Sequence, residues 1–211
     1  MKLLYATKNP AKIEAMRRRV SVLGITIYGF DALNVELPKV PETGKSPLEN
    51  AVQKAKAYFE ILKVPLFSCD SGLYFDNVPD EIQPGVNVRT VNGKRLSDAQ
   101  MQEYYMGLAK RYGDLTARYK NAICLVLDEN HIYSAMEQSM ESEPFIMTSK
   151  PHPKSNPGFP LDSISIDIKT GKYYYDLQGD RLDEVAVEDG FLEFLRTYTG
   201  NVDKGYRIDA S

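Results

Sequence analysis

The chain opens with a β-prone run at residues 2–6 and reaches a second one at residues 25–28. Between these runs the apolar residues recur at helical spacing, as Ile13, Met16, Val20 and Leu23. Asn9 is a good N-cap, and Pro10 suits the first position of a helix. The pattern therefore predicts a strand, a helix and a second strand in succession.

A second helical pattern follows a polar loop at residues 31–46 that is rich in proline, glycine and charge. Ser46 and Glu49 form the sequence signature of a capping box, with Pro47 at the first helical position. The apolar face of the predicted helix, over residues 47–62, consists of Leu48, Ala51, Val52, Ala55, Phe59 and Leu62. Asn50 and Lys54 lie one turn apart on a shared face, so a carboxylate, an amide and an ammonium gather near one helix end.

Polar turn residues interrupt the next apolar segment. The β-prone run at residues 64–67 leads into Cys69, Asp70, Ser71 and Gly72, and a second β-prone run follows. Asp-Ser-Gly is a common turn composition, and glycine permits other groups to approach the backbone closely. The segment predicts a turn that places the carboxylate of Asp70 where a buried strand reaches the surface.

The remaining chain alternates loops, hairpins and helices. Residues 77–88 predict a loop, and a capping box at Ser97 and Gln100 predicts a helix that Gly113 ends. The later predicted elements are a long hairpin of residues 116–127 and 131–140, a loop with five prolines at residues 143–161, a hairpin of residues 164–168 and 173–177, and a helix at residues 184–198. These elements predict one α/β domain over residues 1–211 with a mixed sheet.

Composition excludes several classes of protein. The chain has 211 residues, 43% of them hydrophobic, and a net charge of −3, which disfavours binding to polymeric nucleic acid or to a membrane. Its beginning is polar too soon for a signal peptide, so we expect a cytoplasmic protein. Cys69 and Cys124 fit buried free thiols better than a disulfide, and His131 and His152 lack the spacing of zinc ligands.

Two of these elements carry candidate chemistry: the start of the first helix and the Cys69–Gly72 segment with Asp70. The start of the first helix is a natural anion site because its unpaired N–H groups and dipole point outward, and Lys12 adds a charge one turn in. Each feature also has a purely structural interpretation. The first is a capped surface helix, and the Cys69–Gly72 segment is an ordinary turn.

Three motifs in series resemble the inosine triphosphate pyrophosphatase family. The motifs are Thr7-Lys8-Asn9-Pro10-Ala11-Lys12, Ser46-Pro47-Leu48-Glu49-Asn50-Ala51-Val52-Gln53-Lys54-Ala55 and Cys69-Asp70-Ser71-Gly72-Leu73. They match the family's T-x-N-x-x-K, S-F-x-E-N-A-x-x-K-A and D-D-S-G-L in order and separation. Pro84-Gly85-Val86 with Arg89 resembles P-G-V-x-S-A-R, and the segment Gly158-Phe159-Pro160-Leu161-Asp162 resembles G-F-G-Y-D.

The resemblance implies a fold, a reaction and a set of site residues. It implies an elongated mixed-sheet α/β protein with two lobes and a central cleft, usually a homodimer. The implied reaction is hydrolysis of a non-standard nucleoside triphosphate to monophosphate and pyrophosphate with Mg²⁺, which favours hard oxygen ligands. Asp70 and Lys54 are the implied catalytic residues, and Glu49 and Asp70 the metal ligands. The implied substrate-binding residues are Thr7, Asn9, Lys12, Ser71, Gly72, Phe159, which stacks on the base, and Asp162.

The sequence departs from the family pattern at two places. Cys69 replaces the first acidic residue of the family's pair, so one carboxylate is missing. Residues 185–189, Val-Ala-Val-Glu-Asp, stand where the family reads a 6-oxo purine with Ser-His-Arg. Glu188 or Asp189 accepts hydrogen bonds, which predicts an altered preference for a base that presents an amino or imino donor. The alternatives are a nucleotide-binding module that has lost hydrolysis through the Cys69 change, and a Maf-like pyrophosphatase.

Overall fold

The computed structural model describes residues 1–33, 37–76, 78–178 and 189–200. Strands and helices alternate early in the chain, and strands dominate its second half. The strands are β1 (Lys2–Tyr5), β2 (Thr26–Tyr28), β3 (Leu66–Phe75), β4 (Thr90–Val91), β5 (Lys94–Arg95), β6 (Leu115–Val126), β7 (Ile132–Ala135), β8 (Phe145–Met147) and β9 (Ser165–Asp167). The α-helices are α1 (Pro10–Val20), α2 (Pro47–Leu62), α3 (Asp98–Tyr112) and α4 (Asp189–Thr199).

One mixed sheet organises the molecule, as the sequence predicted. Its strand order is β2-β1-β3-β6-β8-β9, with β7 also paired to β6, while β4 and β5 form a separate two-stranded ribbon. Strand β1 is parallel to β2 and β3, whereas β3 is antiparallel to β6 over ten consecutive residue pairs. The two longest strands therefore form a spine that extends well beyond the first parallel unit.

The Cys69–Gly72 segment is not a turn, and that prediction was wrong. These residues lie inside the continuous strand β3, where Asp70 pairs with Ala122 and Gly72 pairs with Lys120. The uninterrupted ladder to β6 satisfies the backbone hydrogen bonds that a turn would have satisfied locally, so tertiary pairing overrides the turn composition. Asp70 is consequently held by a central strand rather than by a loop.

The two faces of the spine pack against different helices. Because successive side chains of a strand point to opposite faces, Leu66 lies on the face covered by α2, and Phe67 lies on the face covered by α1 and α4. A third core surrounds the far ends of the same strands, where Leu73 and Phe75 pack with α3. The hydrophobic core is thus divided along the spine, in agreement with the predicted two-lobed arrangement.

The predicted helix starts are confirmed by their caps. Asn9 caps α1, Ser46 caps α2 through the N–H of Glu49, and Ser97 and Gln100 form a complete capping box at α3. At α2 the second half of the box is altered, because the Glu49 carboxylate accepts the N–H of Lys45 at 2.8 Å. These caps fix where each helix begins relative to the sheet.

Several predicted boundaries were wrong in the second half of the chain. Strand β7 ends at Ala135 rather than at residue 140, and β8 lies within the predicted proline-rich loop. Of the predicted second hairpin, only β9 is a strand, since Tyr173 makes one isolated bridge and Tyr174–Asp176 is a 3-10 turn. Strand β9 pairs instead with β8. The described part of the last helix begins at Asp189, and the predicted start at residue 184 lies outside the described residues.

None of the helices among the described residues combines the length and the apolar character needed to cross a bilayer.

Candidate functional site

Three charged side chains meet beside the middle of β3. The Lys54 ammonium on α2 lies 2.7 Å from a carboxylate oxygen of Glu42 and 3.6 Å from one of Asp70. The side chains of Lys54 and Asp70 are 14% and 15% exposed, while that of Glu42 is 48% exposed. An ammonium shared between two carboxylates in this half-buried position holds both of them toward one point.

Asn50 fixes the geometry of this cluster through two hydrogen bonds. It is buried, and its Nδ2 donates to Asp70 Oδ2 at 3.0 Å while its Oδ1 accepts the N–H of Gly44 at 2.8 Å. One amide therefore orients the strand carboxylate and also ties down the loop that carries Glu42. Asn50 lies one turn before Lys54 on α2, as the sequence predicted for their shared face.

Burial and mutual attraction shift the pKa of each charged group. Burial raises the pKa of Asp70, although Lys54 and the Asn50 hydrogen bond oppose that change. Burial also acts to lower the pKa of Lys54, but the charges of Asp70 and Glu42 outweigh it and raise the pKa. The pKa of Glu42 is lowered, since the charge and hydrogen bond of Lys54 together outweigh burial. Lys54 therefore stays protonated, and Asp70 is the carboxylate with the stronger tendency to take a proton.

The start of α1 forms the second part of the site. Asn9 Oδ1 accepts the N–H groups of Ala11 and Lys12 at 3.0 and 3.4 Å, and the Thr7 hydroxyl accepts the N–H of Asn9 at 3.2 Å. The charge of Lys12 lowers the pKa of both Glu42 and Asp70, which places its effect at the same cluster. The structure thus brings the predicted phosphate-binding helix end toward the carboxylates.

Within the described residues, β1 pairs with β3 only as far as Phe67, and the next backbone pair on that edge is at Leu73, which leaves a gap in the sheet between these parts. Ala6 donates to the Phe67 carbonyl at 2.8 Å, and further along Leu73 exchanges two hydrogen bonds with Gly85 at 2.9 and 3.0 Å. Backbone groups of alternate residues point to the same edge of a strand, so those of Ser71 point into the gap. This gap is the physical basis of the predicted cleft.

Gly72 is required by close packing at the far side of the gap. A Cβ on Gly72 would lie 2.7 Å from Tyr74 Cε2, 2.9 Å from its hydroxyl oxygen and 3.0 Å from the Gly85 carbonyl. Tyr74 therefore folds back over Gly72 along the strand, toward Asp70. Any larger residue at Gly72 would displace backbone or ring atoms.

The segment with Gly158, Phe159 and Asp162 closes the site from the opposite side. Asn9 Nδ2 donates to the Gly158 carbonyl at 3.4 Å, which brings this segment to the start of α1. Phe159 is half-buried, and no other aromatic ring stacks on it within the described chain. Its predicted role in stacking on a planar ligand stays a prediction.

Asp162 is a partly buried carboxyl group near two tyrosines. Burial raises its pKa to about 6, and its charge in turn contributes to raising the pKa of Tyr119 and Tyr175. The Tyr175 hydroxyl oxygen is itself buried, and a backbone hydrogen bond at Asn156 opposes part of the rise in its pKa. Burial therefore favours the neutral forms of all three groups.

We expect Asp162→Asn to change the pH dependence of stability. Because the pKa of Asp162 is higher in the folded state, folding takes up a proton between pH 3.8 and about 6. The protonated carboxyl contributes fully to the stability of the fold below pH 3.8, and this contribution is lost as pH rises through about 6. The neutral variant carries no such penalty. Its free energy of unfolding relative to wild type should therefore improve by about 3 kcal/mol between pH 3 and pH 8. Urea unfolding at a series of pH values measures this, and a pH-independent difference would contradict it.

Gly158→Ala should weaken both folding and ligand binding. The residue has φ +88°, and an added Cβ would lie 3.0 and 3.2 Å from the Asn9 amide atoms. We expect a loss of about 1 to 2 kcal/mol in unfolding free energy together with a raised KM for the nucleotide that the family resemblance implies. Gly113→Ala is the matched control, because Gly113 has φ +85° and a Cβ there meets no described atom within 4 Å. It should lose stability without a change in KM; an equal rise in KM would contradict the close contact at Asn9.

The structure separates two predicted features from the carboxylate cluster. Glu49 is exposed and turned toward the Lys45 N–H, and its predicted role as metal ligand stays a prediction. The Cys69 side chain packs against the core under α1, on the opposite face of β3 from Asp70. A carboxylate in place of Cys69 would therefore lie on the opposite face of β3 from Asp70, although Cys69 is near enough for its charge to contribute to the raised pKa of Lys54. Glu188 lies outside the described residues, as does the side chain of Asp189.

Glu42 is a site residue that the sequence reasoning missed. It lies in a loop, four residues before the cap Ser46, and neither helical nor strand periodicity marks it. Its position in Pro41-Glu42-Thr43-Gly44, directly before the helix with Lys54, is the only signal in the chain that could have found it. Its carboxylate lies beside Lys54, where Glu49 had been expected.

The donor set fits a hard divalent cation. No group of three or more His, Cys, Asp or Glu side chains with metal-binding geometry occurs within the described residues. Mg²⁺ does not require one, because it keeps several waters and binds one or two carboxylates together with phosphate oxygens. Glu42 and Asp70, both in contact with one ammonium, are a suitable pair for such an ion.

Comparison with known proteins gives a consistent set of relatives. A model of the Ham1 family matches residues 3–170. A dITP/XTP pyrophosphatase of Leptospira interrogans is 30% identical over 92% of this chain and 97% of its own length, and one of Treponema denticola is 30% identical over 69% and 72%. The Staphylococcus aureus Ham1 protein superimposes with a TM-score of 0.71 at 19% identity, covering 96% of this chain and 100% of that one, which supports the fold alone.

Proposed function

We propose that this chain, which belongs to the Ham1 family, hydrolyses a non-standard nucleoside triphosphate to a monophosphate and pyrophosphate. The observation that carries the proposal is the cluster of Asp70, Lys54 and Glu42 beside a capped helix end. The relatives with the same activity in their names support the reaction class. Such a protein would remove abnormal nucleotides from the precursor pool.

Each part of the site has a task in this reaction. The α1 N-terminus and Lys12 bind phosphate oxygens, because unpaired N–H groups, the helix dipole and an ammonium all favour negative charge. Lys54 neutralises charge that develops on the phosphate during attack. Asp70, held by Asn50, is in position to orient a water molecule and accept its proton. Its raised pKa improves its match to that role at neutral pH.

Mg²⁺ is the proposed cofactor. Glu42 and Asp70 would hold it, and the ion would supply charge neutralisation for the triphosphate. In the present arrangement Lys54 occupies the space between the two carboxylates and keeps them from repelling each other. Glu49 remains the alternative second ligand that the sequence predicted.

The proposal extends to the base of the substrate, the assembly of the protein and its location. Phe159 stacks on the base, and Asp162 offers a carboxyl group close to it. A preference for a base with an amino or imino donor is proposed on the acidic sequence at 185–189. A homodimer and a cytoplasmic location are proposed on the family resemblance.

A panel assay tests this proposal. Pyrophosphate release is measured for inosine, xanthosine, deoxyinosine and several modified triphosphates, with Mg²⁺ and with EDTA. We expect turnover of at least one non-standard nucleotide that exceeds that of ATP and GTP and is lost with EDTA. Tight nucleotide binding without any release would instead support a binding module.

A further inference from the structure

Asp98, the first residue of α3, joins two segments that lie far apart in the sequence. One carboxylate oxygen is 2.6 Å from Arg89 Nη1, and the other accepts the N–H of Gly158 at 3.0 Å. The N–H of Gly158 and the Arg89 guanidinium together lower the pKa of Asp98, so it is ionised whenever the protein is folded at neutral pH. Neither contact belongs to the carboxylate cluster around Lys54.

Gly158 is held from both sides of the gap in the sheet. Its N–H is bound by Asp98 at the start of α3, and its carbonyl accepts a hydrogen bond from Asn9 at the start of α1. Phe159 follows directly, and its position is further set by the hydrogen bond from its N–H to the Asn156 carbonyl at 3.1 Å. The Gly158 peptide thus links the proposed phosphate-binding end of α1 to the start of α3.

We propose that Asp98 is a positioning residue that fixes Phe159 at the correct distance from the phosphate-binding end of α1. The inference rests on the proposed function and adds to it a residue that acts through Gly158 without contacting the substrate. Base and triphosphate are parts of one ligand, so the aromatic ring and the helix end must keep a defined separation. The Asp98 carboxylate supplies that constraint from the opposite side to Asn9.

The hydrogen bond from the Gly158 N–H to Asp98, rather than the charge of Asp98, is what positions Phe159. The Asp98 side chain is 41% exposed, so its ion pair with Arg89 is screened by solvent. An amide in its place still offers an oxygen to the Gly158 N–H, whereas a methyl group does not. The two substitutions therefore separate the two contributions.

Steady-state kinetics with Asp98→Ala and Asp98→Asn test this inference. We expect Asp98→Ala to raise the nucleotide KM about tenfold with kcat within about threefold of wild type, and Asp98→Asn to stay within about threefold in both. Inorganic tripolyphosphate, which has no base, serves as a competitive inhibitor. Its inhibition constant should be unchanged in both variants. Glu103→Ala, an exposed acidic residue on the same helix, is the control and should leave every constant unchanged.

Three results would overturn the inference. The first is an unchanged KM in Asp98→Ala. The second is a parallel rise in the nucleotide KM and the tripolyphosphate constant, which indicates general damage to the site. The third is an Asp98→Asn variant as impaired as Asp98→Ala, which assigns the effect to the Arg89 ion pair. If the wild type hydrolyses no nucleotide, the proposed function fails separately, and the same comparison is made with dissociation constants.

Discussion

Asp70→Asn is expected to lower kcat about a thousandfold while nucleotide affinity changes only a few-fold. The substitution keeps the size of the side chain and its contact with Asn50, but it removes the proposed proton acceptor and one of the two carboxylates proposed to hold the cation. The proposed binding at the α1 N-terminus and at Phe159 does not depend on that charge. Pyrophosphate release under saturating nucleotide measures kcat, and calorimetric titration measures affinity.

Asp76→Asn is the matched control for this variant. Asp76 follows the end of β3 and pairs with Arg118 at 3.3 Å, so it is a nearby partly buried acid in an ion pair outside the cluster. It should retain kcat within about threefold. An Asp70→Asn enzyme with more than a tenth of the wild-type kcat would remove Asp70 from the mechanism.

The second large effect distinguishes Glu42 from Glu49 as the second metal ligand beside Asp70. Glu42→Gln should lower turnover about a hundredfold at limiting Mg²⁺ and raise the Mg²⁺ concentration needed for half-maximal rate, because Glu42 lies beside Lys54 and Asp70. Glu49→Gln should stay within about threefold, because its carboxylate is bonded to the Lys45 N–H. Magnesium titrations of the two variants and the wild type measure the difference.

The reverse ranking would restore the assignment made from sequence. If Glu49→Gln shifts the magnesium titration and Glu42→Gln does not, then Glu49 holds the ion, and Glu42 only neutralises Lys54. Both substitutions conserve volume, and neither side chain is buried in the core. A difference in turnover between them therefore reports on chemistry rather than on folding.

The helices and their caps were largely predictable because their signals are local. Asn9 with Pro10, Ser46 with Pro47, and Ser97 with Gln100 each place a helix start from a few adjacent residues, and all three are confirmed. The positions of Asn9 and Lys54 at the site follow from those starts. The caps do not indicate how far one helix lies from another in the fold.

The strands were harder to predict because their partners lie far away in the sequence. Asp70 sits in a segment with turn composition, yet ten consecutive pairs with β6 make it a strand. Strand β8 lies among prolines and is stabilised by pairing with β6 and β9. Local composition reports neither partner, so the turn at Cys69–Gly72 and the loop at 143–161 were both predicted wrongly.

The site itself was predictable where motifs mark it and not where a loop folds back. Asn50 and Lys54 share a helix face, and their convergence on Asp70 follows once α2 packs on β3. Glu42 reaches the same point because its loop is bonded back to α2, through Gly44 to Asn50 and through Thr43 to Gln53, and no periodicity indicates these contacts. Glu49 was preferred from the sequence because it matches the acidic position of the family's motif, whereas Glu42 lies outside the three motifs.

The position of bond cleavage is the most direct test of the account. The protein is incubated with Mg²⁺, the best nucleotide of the panel and water enriched in oxygen-18, and the products are separated and weighed by mass spectrometry. The proposed function predicts nucleoside monophosphate and pyrophosphate with the heavy oxygen in the monophosphate, formed about a thousandfold more slowly by Asp70→Asn. Nucleoside diphosphate with free phosphate, or equal product from Asp70→Asn, would contradict it.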